Sequence, residues 1–242
     1  MKNQISFGVN RTGIQMSPFQ SKQMEAGFKD FPPMPVDTSM RAADLKQTYI
    51  READSVGSVP LPGSVHGAVT TGLQMIKGEH PEMLMDKLSE RLAFERTGVR
   101  LYEALIIKAE VALPGNALSE LHQFRNEEEE HFVLVRDVIE SLGGDATSQT
   151  PCADVAGMAA MGLMQVLTDP RTNLAQCVQA ILIAELADND AWDLLIQLTE
   201  DAGLEGPGEK FRLAKAQEDL HLEYMRSWIE DLVLEPQKPL QH

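Results

Sequence analysis

The chain repeats itself at an offset of 90 residues, and several of the repeated residues are of a kind that resists burial. Glu95 maps onto Glu185, Glu128 onto Glu218, His131 onto His221 and Arg136 onto Arg226, with no gap. Leu105, Ile106, Ile139, Glu140 and Leu142 map onto Leu195, Ile196, Ile229, Glu230 and Leu232. Tyr102 and Trp192 are both large aromatics, and Glu103 and Asp193 are both acidic. The duplicated stretches are 88–142 and 178–232, and a fixed internal period of this kind is read before any local pattern.

The elements that carry the repeat read as helices. Apolar residues recur at helical spacing from Met83 to Leu113, through Leu88, Leu92, Val99, Tyr102 and Ile106. Leu113-Pro114-Gly115-Asn116 breaks that pattern. A second helix is expected from Ala117 to Leu142, stopped by Gly143-Gly144, and a third from Asn173 to Asp201. Pro207-Gly208 opens a fourth, which ends near Leu234 before Glu235-Pro236. Between the second and third helices lies a long link with its own Met-rich stretch, Val155 to Leu167, expected to be a short crossover helix. Helices of roughly 25 residues are about 35–40 Å long, which favours a four-helix bundle over globin-like packing. With 5% aromatics and abundant Leu, Ala, Glu and Met, the palette suits helices and is poor for sheets. The expected fold class is therefore all-α.

Residues 1–80 differ in composition: rich in Pro, Gly, Ser, Gln and Met, with FPPMP at 31–35 and VPLPGS at 59–64. They are expected to form an N-terminal arm, extended or partly disordered, with one short helix near 40–53 capped by Thr38 or Ser39. The bundle is expected over 81–235 and a tail over 236–242.

Charge narrows the partners. The net charge of −16 excludes a basic surface for nucleic acid or a basic helix for anionic lipid. No apolar run reaches membrane-spanning length, and MKNQISFGVNRTGIQ lacks the apolar core of a signal peptide. The expectation is a soluble, cytoplasmic chain whose two thiols, Cys152 and Cys177, are reduced and idle.

The repeated acids fall inside the apolar stripes. Glu95 sits among Leu88, Leu92, Val99 and Tyr102, and Glu185 among Val178, Ile181, Leu182 and Trp192. His131 follows Phe124 and precedes Val135, with Glu128 one turn before it; His221 lies between Ala214 and Met225, with Glu218 one turn before it. At about 100° per residue, a Glu and a His three apart lie about 60° apart on one face and can grasp one object. Four carboxylates and two imidazoles are thus aimed at a core. Burying even one uncompensated carboxylate costs several kcal/mol or more. The carboxyls can protonate, since desolvation raises their pKa, or two divalent cations can balance the four negative charges. Mixed carboxylate and imidazole ligation suits iron, manganese or zinc better than magnesium or calcium. Buried salt-bridge clusters in a duplicated bundle are the structural alternative.

A lone Glu on helix one, ExxH on helix two, a lone Glu on helix three and ExxH on helix four resemble the ferritin-like di-iron carboxylate superfamily, which includes bacterioferritin, rubrerythrin and manganese catalase. The resemblance covers residues 83–234. It implies a ferritin-like four-helix bundle with a long crossover between helices two and three and an N-terminal extension. It implies that Glu95, Glu128 and His131 hold one metal and Glu185, Glu218 and His221 the other, with Glu128 and Glu218 bridging. It implies that Tyr102 supports the Glu of the opposite half. The implied cofactor is two Fe, with Mn or a mixed pair as alternatives, and the implied state is a homo-oligomer, a dimer. The chain has no rubredoxin-like cysteine module.

The expected activity is oxidation of Fe(II) by O2 or peroxide, in iron handling or oxidative stress. Manganese-catalase-like peroxide disproportionation, oxygenation of an organic substrate, and a non-catalytic metal-binding or structural bundle remain alternatives. Glu103 and Asp193 are candidates for the second hydrogen bond of the histidines, or surface residues. Glu127 and Glu130 are expected on a solvated face, and Asp188 and Asn189 along a wet entry. Arg136 and Arg226 are expected to pair with neighbouring acids. His66, His80, His122 and His242 carry no supporting pattern.

Overall fold

A computed structural model describes residues 17–30, 42–60, 81–112 and 118–234. Among them lie seven helices and no strand. The chain divides into two units, 1–54 and 55–242.

The first unit holds α1 (Pro18–Asp30) and α2 (Ala42–Glu52). Helix α2 has Asp44 in its first turn and Arg51 in its last, both favourable to the helix dipole. The proposed caps Thr38 and Ser39, and FPPMP, lie outside the described residues. Helix α1 was not expected. It has no buried residue, and Phe19, Met24 and Phe28 stay exposed, so no apolar stripe announces it. Local chemistry forms it: Pro18 at its start, a run of Gln, Lys, Met, Glu and Ala, and Lys29 in the last turn.

The second unit holds α3 (Pro81–Ala112), α4 (Ser119–Ser141), α5 (Pro151–Thr168), α6 (Leu174–Asp201) and α7 (Glu205–Leu234). Helix α3 packs on α4, α5 and α6; α6 packs on α7 and α5; α4 touches α7. Helix α5 covers the Met-rich stretch between α4 and α6, starts at Pro151 and is tied to α3 where Asp86 Oδ1 accepts the Cys152 N–H at 2.9 Å. Its outer face leaves Met158 and Met161 exposed, while Met164 packs against the core.

The helix ends follow their local chemistry. Asn173 caps α6, accepting from the Gln176 N–H while the Gln176 side chain accepts from the Asn173 N–H. Helices α4 and α6 close on Gly143 (φ 85°) and Gly203 (φ 67°), in the left-handed region where a Cβ is strained. Among the described residues, no helix is long and apolar enough to cross a membrane.

The core of this unit is split. One apolar cluster contains Leu101, Tyr102, Phe124, Cys177, Val178, Ile181 and Met225. The other contains Leu88, Leu92, Val135, Ile139, Trp192, Leu195 and Phe211. Each of α3, α4, α6 and α7 passes from one cluster to the other, and at the crossing it places a charged residue: Glu95, Glu128, Glu185 and Glu218.

The Asn173 cap satisfies a backbone donor that would otherwise be bare at the start of α6. Asn173→Ala is expected to lower unfolding stability by about 1 kcal/mol in a urea titration. An unchanged midpoint would contradict this account of the α6 start.

Candidate metal centre

All six sequence-predicted residues are at most 3% exposed, and they meet in one layer. Glu95 comes from α3, Glu128 and His131 from α4, Glu185 from α6, and Glu218 and His221 from α7. His131 Nδ1 lies 2.7 Å from Glu218 Oε1 and 3.7 Å from Glu95 Oε2. His221 Nδ1 lies 3.1 Å from Glu218 Oε2, 3.6 Å from Glu128 Oε1 and 4.0 Å from Glu185 Oε2.

Two overlapping groups can each hold a metal ion: Glu95, His131 and Glu218; and Glu128, Glu185, Glu218 and His221. Of the two glutamates expected to bridge, Glu218 belongs to both groups and Glu128 to one. Glu128 groups with His221, although it shares a helix with His131. A Cβ on Gly98 of α3 would clash with Glu128 Oε2, so the Glu128 carboxylate occupies space that only glycine leaves open.

The donor atoms are short of partners. Both oxygens of Glu95 and Glu218, one oxygen each of Glu128 and Glu185, and Nδ1 of both histidines are buried without a hydrogen bond. The close Nδ1 contacts do not count as hydrogen bonds and leave these atoms unsatisfied. Orphaned buried polar atoms are costly singly, and here eight face one another. This donor set fits divalent metal ions that accept mixed oxygen and nitrogen ligands.

Without metal, protons must do the neutralising. Burial pushes the Glu95 carboxyl up to about 7, with Arg91 opposing and Glu218 adding to the rise. Burial and then Glu218 push Glu185 up to about 8. Glu128 is raised well above the carboxylate range by burial, then by Glu218. Burial would raise Glu218 too, but its contacts with His131 and His221 outweigh it and hold it low. Burial would neutralise both histidines, yet their acidic neighbours raise them, Glu218 foremost at His131 and Glu127 at His221.

The outer ring of residues departs from the sequence reading. Glu127 is not on a solvated face: its Oε2 accepts from His221 Nε2 at 2.7 Å, which lowers its own pKa. Its repeat partner Gln217 does the same for the other half, with Oε1 at 3.0 Å from His131 Nε2. Both histidines therefore turn Nε2 outward and Nδ1 into the cluster. Glu103 and Asp193 do not take this part; they are exposed, on Arg125 at 3.0 Å and Lys215 at 3.8 Å. Asp188 and Asn189 do not line a wet entry but are buried. Asp188 pairs with the buried Arg91, whose Nε also lies 2.8 Å from Glu95 Oε1. Asn189 donates to the carbonyls of Glu185 and Glu218, at 3.0 and 3.1 Å, tying α6 to α7.

Other expectations sort more simply. The Tyr102 hydroxyl of α3 donates to Glu185 Oε1 of α6 at 2.6 Å. Trp192 is buried against His131 and Phe211. Arg136 pairs with Asp137 at 2.6 Å, and Arg226 is exposed. Glu130 and His122 are exposed; His66, His80 and His242 lie outside the described residues.

No protein-family model matches this chain, and neither does any curated protein or solved structure compared with it. What the centre can do is therefore judged on its own chemistry. Asp188 and Arg91 cancel, and four buried glutamates remain beside the two imidazoles, a group that could hold a metal ion. Sequence reasoning missed Glu127, Gln217 and Arg91. The offset of 90 pairs Glu127 with Gln217 and flags their common place; Arg91 faces Ile181 across the repeat and carries no such signal.

Two outcomes follow. In the metal-free protein, Glu95 and Glu185 keep protons up to about 7 and about 8, whereas an unfolded carboxyl loses them near 4.5. Folding takes up protons across that window, so stability falls as pH rises through it. The raised histidines act in the same sense above their ordinary value of 6.5, and the lowered Glu218 titrates below the window. The melting temperature of metal-free protein is expected to be higher at about pH 6 than at about pH 8; the reverse order would contradict the burial of these carboxyls. Gly98→Ala is expected to cost little metal-free stability, since helical alanine is favoured and Glu128 can swing. It should weaken metal binding at least about tenfold. Unchanged affinity in a metal titration would show that Glu128 takes no part.

Proposed function

We propose that this chain is a ferritin-like dimetal-carboxylate protein that oxidises Fe(II) with O2 or peroxide. The carrying observation is the set of eight buried donor atoms from four helices that converge in the core without a hydrogen-bond partner. The order of the elements supports a ferritin-like arrangement. Helices α3 and α4 carry a Glu and an ExxH, α6 and α7 carry the same pair again, and α5 is the link between them.

Two bound metals would supply the electrons that reduce the oxidant. The chain's own residues set the stage. Glu218 faces both histidines and can join the two positions. Tyr102 fixes the orientation of Glu185, and Asn189 locks the backbones of α6 and α7 beside the centre. Glu127 keeps His221 in the tautomer that leaves Nδ1 free for a metal, because a carboxylate only accepts hydrogen bonds. The apolar clusters above and below exclude bulk water from the layer. The net charge of −16 favours approach of Fe(II) as substrate.

Stopped-flow absorbance after mixing metal-free protein with Fe(II) and then O2 tests this. Fast oxidation saturating at two Fe per chain is expected, and Glu218→Gln should slow it at least about tenfold because it weakens both positions. Oxygen evolution from peroxide by manganese-loaded protein, without Fe(II) oxidation, would instead identify peroxide disproportionation. Oxidation no faster than free Fe(II), with no change of melting temperature on adding metal, would overturn the proposal.

A further inference from the structure

The sequence repeat makes the two halves of the centre look equivalent, but the structure surrounds them differently. Four donors converge around His221: Glu128, Glu185, Glu218 and the imidazole itself. Only three converge around His131: Glu95, Glu218 and the imidazole. The outward nitrogens differ as well. His221 Nε2 donates to a carboxylate, Glu127, whereas His131 Nε2 meets an amide oxygen, Gln217, at the equivalent place in the repeat. A carboxylate partner makes an imidazole a stronger donor to a metal than an amide partner does.

The lone glutamates are also treated unequally. Glu185 Oε1 accepts from the neutral Tyr102 hydroxyl. Glu95 Oε1 lies 2.8 Å from the Arg91 guanidinium, a buried positive charge that draws on the same lone pairs a cation would use. Arg91 is held there by Asp188 and by the ring of Phe94, 4.5 Å below its guanidinium carbon, so it has no easy retreat. Isoleucine stands at the matching position of the other half, Ile181.

We propose that the two halves hold metal unequally. The Glu128–Glu185–Glu218–His221 half takes a tightly held ion, and the Glu95–His131–Glu218 half takes a weaker, exchangeable one. Glu127 and Gln217 are the positioning residues that set much of the difference. The inference presupposes that the centre binds metal, and it assigns the exchanging position, where an Fe(II) substrate turns over, to the His131 side.

Anaerobic titration of metal-free protein with Co(II), followed by calorimetry and by the visible Co(II) spectrum, tests it. Two steps are expected, separated by at least about tenfold in affinity. Glu127→Gln should weaken the tighter step by about 10–100-fold and alter its Co(II) spectrum, leaving the weaker step nearly in place. Gln217→Glu should tighten the weaker step by about tenfold and leave the tighter one. Gln217 is half-buried, so the second variant tolerates a new charge and keeps the test decisive if the first folds poorly. A merely structural role would shift the metal-free melting temperature and both steps together. Two steps of equal affinity in the unaltered protein, or substitutions that move both steps alike, would overturn the asymmetry while leaving the dimetal reading intact. No Co(II) binding at all would overturn both.

Discussion

Charge that cannot reach water dominates this molecule. Five carboxylates, Glu95, Glu128, Glu185, Asp188 and Glu218, are almost wholly buried in a helical core. Arg91 answers one of them, and two histidines sit among the rest. In a low-dielectric interior an ionised carboxylate without a counter-charge is costly enough to consume the net stability of a domain. Protons neutralise part of that charge, and cations could do the same. Much else in the second unit is arranged around it: apolar clusters on either side, a glycine cleared for Glu128, and hydrogen bonds that aim both imidazoles inward.

The long helices were legible because their signals are local and strong. Apolar residues at helical spacing mark α3, and Gly143, Gly203 and Asn173 punctuate α4 and α6. The six central residues were legible because two weak signals coincide, the ExxH spacing and the offset of 90. Helix α1 was not legible, since it buries nothing and periodicity reports burial. Glu127 was hidden for a geometric reason. One position before Glu128, it points about 100° away from the inward face, and a single helix gives it only solvent. Its partner His221 belongs to α7, 94 residues further on. Arg91 and Asp188 form their pair across α3 and α6 and have no counterpart in the repeat, so no internal comparison exposes them.

Duplication and departure from it divide the labour. The repeated residues meet in the central layer, and the unrepeated ones differ around it: Tyr102 against Trp192, Glu127 against Gln217, Gly98 against Asp188, Arg91 against Ile181. Every one of these differences touches a residue of the central layer or leaves room for it. Such divergence is what the proposed inequality between the two positions would require.

The central claim is that cations can replace protons in this buried layer. Anomalous diffraction from crystals grown with Mn(II) tests it directly. The account predicts two manganese peaks enclosed by Glu95, Glu128, His131, Glu185, Glu218 and His221. Peaks only on the acidic surface, with the six side chains still bonded to one another, would contradict it.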